Sequence, residues 1–201
     1  MSSTCISVVT TTWNERENIE TLILSIRKVL ANFPHEIIVV DDESPDGTIN
    51  VAKRFADVAL TKKREGQTKG LLHGMRLAKY PIIVTIDADL ENSPEYIPLL
   101  ADQTNKFDIV VASRTEIPRI SEKIASKTLG KLIGVADSFS NYRAYKKEIV
   151  PMFNLKGGET FGAEFPVIAN KKGLRIGEAK YDPPPRRKTR ESAAQSKPTY
   201  E

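Results

Sequence analysis

The sequence predicts an α/β fold in which a mostly parallel sheet is flanked by helices. Short apolar runs alternate along the chain with segments whose apolar residues recur at helical spacing, a pattern typical of β-α-β architecture. The runs are almost continuously hydrophobic, as expected for strands buried on both faces. The chain has 201 residues, of which 40% are hydrophobic and 28% charged. These values are ordinary for a globular protein and give the length of one domain.

Each element of the first half has its own local signal. The predicted strands are the apolar runs at residues 6–9, 36–40, 58–60, 82–86 and 107–112. The predicted helices cover residues 19–30, 50–55 and 71–78, and a further helix begins at Ser93-Pro94-Glu95. Asn14 and Glu17 have the spacing of a capping box, so we expect the first helix to begin directly after the first strand. Beyond Ser113 the signal is weaker and predicts helices at 121–133 and 163–171 and a strand at 175–178.

Several classes of protein are disfavoured by what the chain lacks. Cys5 is its single cysteine, which excludes a disulfide framework and a cysteine-based zinc site. No apolar run is long enough to cross a bilayer, and the first residues lack the features of a signal peptide. We therefore expect a cytoplasmic domain, or one that touches a membrane only from outside. Neither a P-loop nor the dinucleotide-binding glycine pattern follows the first strand.

The positive charge of the chain is concentrated at its end. The formal net charge is +4, and residues 180–201 contribute +3 of it, mostly through the run RRKTR at 186–190. Such a run indicates an anionic partner, namely phosphate, nucleic acid or an acidic membrane surface, unless it is only a solvated tail. Aromatic residues are 7% of the chain and are not interleaved with this run, which argues against nucleic acid. We predict a domain over residues 1–182 and a basic, flexible tail over 183–201.

Two acidic clusters follow predicted strands, where open α/β sheets bind their ligands. Asp41-Asp42 follows the second strand, and Asp87-Ala88-Asp89 follows the fourth. Because side chains alternate along a strand, Asp87 and Asp89 can share a side while Asp41 and Asp42 diverge. Mg²⁺ or Mn²⁺ would relieve the repulsion between the carboxylates and would complete its shell with the phosphates of a nucleoside diphosphate. The alternative is that these carboxylates only cap turns and helices.

Five segments, taken in order, carry a resemblance to a known family. They are TWNERENI at 12–19, EIIVVDDESPDGT at 36–48, DADL at 87–90, IVVASR at 109–114 and DSFSNYRAY at 137–145. They resemble the motifs of family 2 inverting glycosyltransferases of the GT-A fold, a Rossmann-like, mostly parallel sheet flanked by helices. The branch that the chain resembles most is that of the dolichyl-phosphate mannose synthases and other polyprenyl-phosphate sugar transferases. The resemblance spans about residues 5 to 192.

The resemblance implies a role for each matched residue. The residues implied to line the nucleotide pocket are Thr12, Trp13, Asn14, Glu15, Asp41 and Asp42. The implied metal ligands are Asp87, Asp89 and Glu91, the last standing where the family often has glutamine. The basic residues implied to hold the acceptor phosphate or the diphosphate are Arg114, Arg119 and Arg187, and Arg143 either joins them or braces its loop. Asp89, Arg114 and Arg119 are the residues that we expect to carry the reaction.

The same resemblance implies the partners. The cofactor would be Mg²⁺ or Mn²⁺, the donor a GDP- or UDP-linked sugar, with GDP-mannose favoured, and the acceptor a polyprenyl phosphate. Many relatives carry transmembrane helices after the catalytic domain. This sequence shows no apolar run of that length, so we expect a peripheral location at the cytoplasmic face of a membrane, held by the basic tail, by a membrane partner subunit or by a segment that this sequence does not include. The composition argument above predicts no nucleic-acid partner.

The chemistry of the acceptor supports a lipid phosphate. A sugar hydroxyl needs a general base, whereas a phosphate monoester with a second pKa near 6 is already largely anionic at pH 7. Relatives that transfer to hydroxyls typically carry a Glu-Asp pair, and this chain has no Glu-Asp dipeptide; Glu164 is the nearest substitute. Transfer to a glycan hydroxyl stays open as the alternative, as does a non-catalytic module that binds phosphorylated ligands or nucleic acid. A sugar nucleotidyltransferase is disfavoured because its glycine-rich, basic N-terminal loop is missing.

Some positions depart from the family pattern. Thr11 replaces proline, Trp13 replaces tyrosine, Asn141 replaces glycine and Arg190 replaces a glycine of the tail motif, while the stretch 64–70 is short. Trp13 is suited either to stacking on a base or sugar or to packing at the edge of the sheet. These departures surround the expected donor and acceptor, so the sequence leaves the base and the sugar open.

Overall fold

A seven-stranded, mostly parallel sheet with helices on both faces forms the framework of the protein. The computed structural model describes residues 4–115, 135, 137, 140–153 and 167–183. The strands in these ranges are β1 (Ile6–Thr12), β2 (His35–Asp41), β3 (Val58–Thr61), β4 (Ile82–Thr85), β5 (Ile109–Arg114), β6 (Arg143–Lys146) and β7 (Ile176–Tyr181). The helices are α1 (Ile19–Val29), α2 (Thr48–Phe55), α3 (Gln67–Leu77) and α4 (Ile97–Gln103), with 3₁₀ turns at Pro94–Tyr96 and Lys147–Met152. The predicted fold class is confirmed.

The strand order is β3-β2-β1-β4-β6-β5-β7, and β6 alone among the described strands runs against its neighbours. It pairs antiparallel with β4 on one side and with β5 on the other. No local sequence pattern predicts β6. The late strand predicted at 175–178 is present as β7, which runs parallel to β5.

The core lies in two layers, one on each face of the sheet. Side chains alternate along β1, so Val8 packs under α1, α2 and α4 while Val9 packs under α3. Gly74 lets α3 lie close to the sheet, since a Cβ there would be 2.5 Å from Val9 Cγ1 and 3.2 Å from Val40 Cγ2. This close approach places the first turn of α3 beside the ends of the central strands.

One local prediction differs from the structure. The helix α1 begins at Ile19 after Asn18, which makes no side-chain capping bond, so the capping box expected from Asn14 and Glu17 is wrong. Asn14 instead has a φ of 57°, in the left-handed region, and forms part of a turn. The helix predicted at 121–133 lies outside the described residues, and of the one at 163–171 only residues 167–171 are described, as helix. Within the described ranges, every helix is too short or too polar to span a membrane.

Candidate active site

The candidate site lies at the edge of the sheet where β1, β2, β4 and β5 end. Because β6 is antiparallel to β4 and β5, it begins at this same edge. The arrangement gathers Thr12, Asp41 and Arg114 from strand ends, Asp87 from the loop after β4, and Arg143 from the start of β6. Residues separated by more than a hundred positions in the chain therefore meet at one edge, as expected for an open α/β sheet.

Asp41 organises the loop that follows β2. The residue is buried, and its Oδ1 accepts hydrogen bonds from Thr12 Oγ1 at 2.7 Å and from Ser44 Oγ at 2.6 Å. Its Oδ2 accepts the backbone N–H of Ser44 at 2.9 Å. Thr12 and Asp41 are also register partners of β1 and β2. These contacts hold the ends of the two strands together and set the shape of this part of the site.

Asp42 faces the other way, toward the loop that leads into α3. Its carboxylate forms an ion pair with Lys62 and accepts the backbone N–H groups of Glu65 at 3.1 Å and Gly66 at 3.0 Å. Gly66 has a φ of 88°, a conformation that favours glycine, so this loop turns sharply onto the carboxylate. The predicted divergence of Asp41 and Asp42 is confirmed, and each carboxylate organises a different loop.

The segment after β1 is held against the β2–α2 loop. The backbone N–H of Asn14 donates to Ser44 Oγ and that of Glu15 donates to Thr48 Oγ1, both at 3.0 Å. Trp13 lies between these anchors and β1, and the guanidinium carbon of Arg64 stands 3.7 Å from the centroid of its ring. Since Arg64 covers one face of the indole, a nucleotide base can stack only on the other face or in place of Arg64.

Two carboxylates dominate the electrostatics of the site. Asp87 is half-buried and its Oδ1 accepts Gln67 Nε2 at 2.7 Å. Loss of water around Asp87, and then the negative charge of Asp89, raise its pKa to about 7. Burial also raises the pKa of Asp89, and the negative charges of Glu91 and Glu15 add to this rise. The backbone N–H of Glu91 opposes the rise, because it donates a hydrogen bond to Asp89 Oδ1 at 3.0 Å. Asp89 is the more exposed of the pair, so water screens it more.

These carboxylates fit a divalent cation that also binds substrate. In the described part of the chain, no group of three or more histidine, cysteine, aspartate or glutamate side chains is placed to hold a metal ion. Asp87 and Asp89 nevertheless supply hard oxygen donors whose mutual repulsion a cation would relieve. Mg²⁺ and Mn²⁺ accept such ligands, and Mg²⁺ is commonly held by one or two carboxylates plus substrate phosphates. The role expected for Glu91 stays a prediction.

The basic side of the site is built around a buried ion pair. Arg114 Nε lies 2.7 Å from Asp137 Oδ2, and Arg114 Nη2 lies 3.3 Å from Asp137 Oδ1. Asp137 is fully buried, and its backbone N–H donates to Ser113 Oγ at 3.3 Å. This two-point contact fixes the plane of the guanidinium at the end of β5. Arg143 is fully buried as the first residue of β6, which suits a bracing role.

The loop that follows Asp89 is anchored by tyrosines. The hydroxyl of Tyr142 donates to the backbone carbonyl of Ser93 at 2.9 Å, and the hydroxyl of Tyr181 donates to Asn92 Oδ1. The two rings meet edge to face with centroids 5.7 Å apart. Burial raises the pKa of both phenols, so they remain protonated donors. The loop is therefore tied to β7 on the far side of β5 and β6.

Sequence reasoning missed several side chains of this site. The sequence pattern indicates only that the stretch 64–70, which contains Arg64 and Gln67, is short, and it assigns nothing to Lys62; Asp137 enters only as a letter of a matched motif. The available signals were the position of Gln67 shortly before a predicted helix and the position of Asp137 within a matched motif. Three residues that were singled out, Arg119, Glu164 and Arg187, lie outside the described residues.

Comparison with known proteins identifies the family. Residues 7–164 match the family model described as glycosyl transferase family 2. The chain belongs to this family. It is 33% identical over 165 residues to a dolichol-phosphate mannosyltransferase of Pyrococcus furiosus, a match that covers 72% of this chain and 47% of the relative. It is 31% identical over 185 residues to an undecaprenyl-phosphate 4-deoxy-4-formamido-L-arabinose transferase of Pectobacterium atrosepticum, which covers 82% of this chain and 55% of that protein. The chain thus spans about half the length of these family 2 relatives.

Solved structures agree with the fold. The glucosyl-3-phosphoglycerate synthase of Mycobacterium tuberculosis, solved with Mn²⁺, UDP and glucosyl-3-phosphoglycerate, superposes with a TM-score of 0.77 at 22% identity. The superposition covers 94% of this chain and 74% of the other. The complex of the same enzyme with Mg²⁺ and UDP gives a TM-score of 0.78, also at 22% identity, over 94% of this chain and 73% of the other. The predicted GT-A fold of this family 2 member is confirmed.

Proposed function

We propose that the protein is an inverting glycosyltransferase that moves a hexose from a nucleotide sugar to the phosphate of a polyprenyl phosphate such as dolichyl phosphate. The observation that carries the proposal is that Asp87 and Asp89, after β4, and the fixed guanidinium of Arg114, at the end of β5, lie at the same edge of the sheet. An anionic donor that binds through a cation needs the carboxylates, and an anionic acceptor that binds to arginine needs the guanidinium. The names of the two curated relatives, both polyprenyl-phosphate sugar transferases, support the same substrate class.

The donor side would be built from the loops around β1, β2 and β4. Trp13 and the Thr12–Asp41 contact would line one wall of the nucleotide pocket. Asn14, Glu15 and Asp42 would shape the loops beside that wall. Asp87 and Asp89 would hold Mg²⁺ or Mn²⁺ on the diphosphate, and when bound the ion would offset the negative charge of the departing nucleoside diphosphate. We favour GDP-mannose as the donor because the Pyrococcus furiosus relative is a mannosyltransferase.

The acceptor side would need no general base. An oxygen of the acceptor phosphate attacks the anomeric carbon of the sugar from the face opposite the leaving group. The bond from that carbon to the diphosphate oxygen breaks, its electron pair leaves with the nucleoside diphosphate, and the configuration inverts. Arg114, with Arg119 and Arg187 as further proposed ligands, aims the acceptor phosphate, and positioning of this kind lowers the barrier without a proton transfer. Arg143 braces this side from within the sheet.

The acceptor also implies a membrane surface. We propose peripheral association at its cytoplasmic face, through the basic residues 186–190 or through a membrane partner subunit, because each basic residue near an anionic surface contributes about 1 kcal/mol. Sedimentation with anionic vesicles should fall when the chain is cut before Arg186. Unchanged sedimentation would remove the tail from the proposal.

The decisive experiment is transfer of labelled sugar into organic-extractable lipid. The reaction would contain a polyprenyl phosphate, Mn²⁺ or Mg²⁺, and a panel of GDP- and UDP-sugars. We expect metal-dependent label in the lipid phase, reduced at least about 100-fold by Asp89→Ala, a loss in the range known for groups that stabilise a transition state. The matched control is Asp102→Ala, which removes an exposed carboxylate from α4. If lipid stays unlabelled while a soluble sugar stimulates nucleotide release, the acceptor is a hydroxyl and the proposal is wrong.

A further inference from the structure

Two side-chain amides form a chain of hydrogen bonds that ends on Asp87. Gln67 is the first residue of α3, and its Nε2 donates to Asp87 Oδ1 at 2.7 Å. The amide oxygen of Gln67 accepts Asn141 Nδ2 at 3.0 Å, and the side chain of Asn141 also opposes the rise in the pKa of Asp87. The chain links α3, the loop after β4 and the segment that enters β6, although Gln67 and Asn141 are 74 residues apart in sequence.

The chemistry of the three groups fixes the direction of this chain. A carboxylate that binds a cation is ionised and only accepts hydrogen bonds, so Gln67 then turns its amide nitrogen toward Asp87 and its amide oxygen toward Asn141. Asn141 must then donate. This orientation leaves Asn141 Oδ1 buried without a hydrogen-bond partner in the described part of the protein. The amides are therefore oriented toward the carboxylate even though one of their own acceptors stays unsatisfied.

The backbone around both amides is itself held in place. Thr85 Oγ1, at the end of β4, donates to the backbone carbonyl of Asn141 at 2.5 Å. The backbone N–H of Gly66, just before Gln67, donates to Asp42 Oδ2 at 3.0 Å. Asn141 stands where the family pattern has glycine, which offers no side chain to donate. The chain of amides is thus a feature of this sequence and not a consequence of the fold alone.

We infer that Gln67 and Asn141 are positioning residues that orient the Asp87 carboxylate toward the bound cation and hold it there against repulsion from Asp89. The inference rests on the proposed function, because it assumes that Asp87 is a metal ligand. Partners that hydrogen-bond a metal ligand commonly change metal affinity by about 10- to 100-fold when they are removed. Gln67 and Asn141 act through Asp87 and need not touch substrate.

The test measures Mn²⁺ affinity directly, by equilibrium dialysis in the presence of GDP or UDP. We expect Gln67→Met, which keeps the length of the side chain, and Asn141→Ala each to weaken Mn²⁺ binding about 10-fold. The double variant should lose less than the product of the two effects, because the amides act on one carboxylate. Excess Mn²⁺ should restore kcat in each variant, which a folding defect would not allow. The matched control is Gln103→Met at the end of α4, toward the opposite edge of the sheet.

The outcomes separate this inference from the proposed function. Loss of Mn²⁺ binding in Asp87→Ala, with wild-type affinity in Gln67→Met and Asn141→Ala, would overturn the positioning role and leave the proposed function standing. Weakened binding that excess Mn²⁺ does not rescue, together with a lowered unfolding temperature, would also overturn it. If the wild-type protein binds no Mn²⁺ with either nucleotide, both proposals are wrong.

Discussion

Removing the carboxylate of Asp137 should destabilise the protein strongly, because it leaves the Arg114 guanidinium without its two-point partner. Asp137 is fully buried, and the side chain of Arg114 is 17% exposed, so water would replace the lost contact only in part. Breaking a buried ion pair from one side typically costs about 3–5 kcal/mol. In a domain of this size each kcal/mol corresponds to about 2–4 °C, so Asp137→Ala should lower the Tm by about 6–20 °C.

The assay is a double-mutant cycle measured by urea unfolding. Asp137→Ala, Arg114→Met and the double variant would be compared with wild type, and Asp102→Ala serves as the exposed control, expected within about 0.5 kcal/mol of wild type. The double variant should be more stable than the sum of the single changes predicts, by about 2 kcal/mol, because it contains no guanidinium that has lost its two-point contact. It should still lack transferase activity, which separates the stabilising role of the pair from the proposed role of Arg114 toward phosphate.

Two results would refute this reasoning. A loss of less than about 1 kcal/mol in Asp137→Ala would mean that Arg114 finds an equivalent partner or reaches water. Strict additivity in the cycle would mean that the pair contributes through packing alone. Either result would remove the argument that Asp137 fixes the guanidinium at the end of β5.

Two further predictions concern the edge of the sheet opposite the site and the β5–β7 pair. Arg175 and Lys146 hold the pKa of Asp108 well below its ordinary value of 3.8, so its stabilising effect is present above that value and is lost as the pH falls toward the lower folded-state pKa. Asp108→Asn should therefore lower the urea midpoint at pH 7, and the difference from wild type should close on acidification below about pH 4; a constant difference would contradict this. Gly177→Ala would place a Cβ 2.3 Å from Phe107 Cδ2 and should cost about 1–3 kcal/mol in urea unfolding, whereas an unchanged midpoint would mean that the ring moves aside freely.

The strongly apolar strands and the first helix were predictable because local sequence and burial agree there. Residues 36–40 are apolar without interruption from Ile37 to Val40, and those four positions are fully buried in β2. β6 escaped prediction because its four residues include Arg143 and Lys146, and its stability comes from pairing on both sides. The capping box failed for a similar reason. The hydroxyl oxygens of Ser44, before α2, and Thr48, at the start of α2, accept hydrogen bonds from the backbone N–H groups of Asn14 and Glu15. These bonds fix the turn after β1.

The candidate site was predictable in composition but not in its internal contacts. A motif indicates that Asp87 and Asp89 come after a strand, and the fold then places them at the ligand-binding edge. No spacing rule links Gln67 to Asp87, since their contact depends on how closely α3 packs on the sheet. The same holds for Arg64 on Trp13, which limits how a base can stack. Contacts between elements distant in sequence are fixed by tertiary packing, so local patterns do not contain them.

The position of β6 also has a consequence for how the chain emerges from the ribosome. β4 and β5 are made first, but they are not neighbours, and each lacks its shared partner until residues 143–146 have been synthesised. Until then β4 lacks one neighbour and β5 lacks both, because β7 is made later still. The apolar strand edges then have unpaired backbone groups, which are the features that promote association between chains. A ribosome that stalls between β5 and β6 would therefore expose an aggregation-prone intermediate, and chaperone demand should peak over that interval of translation.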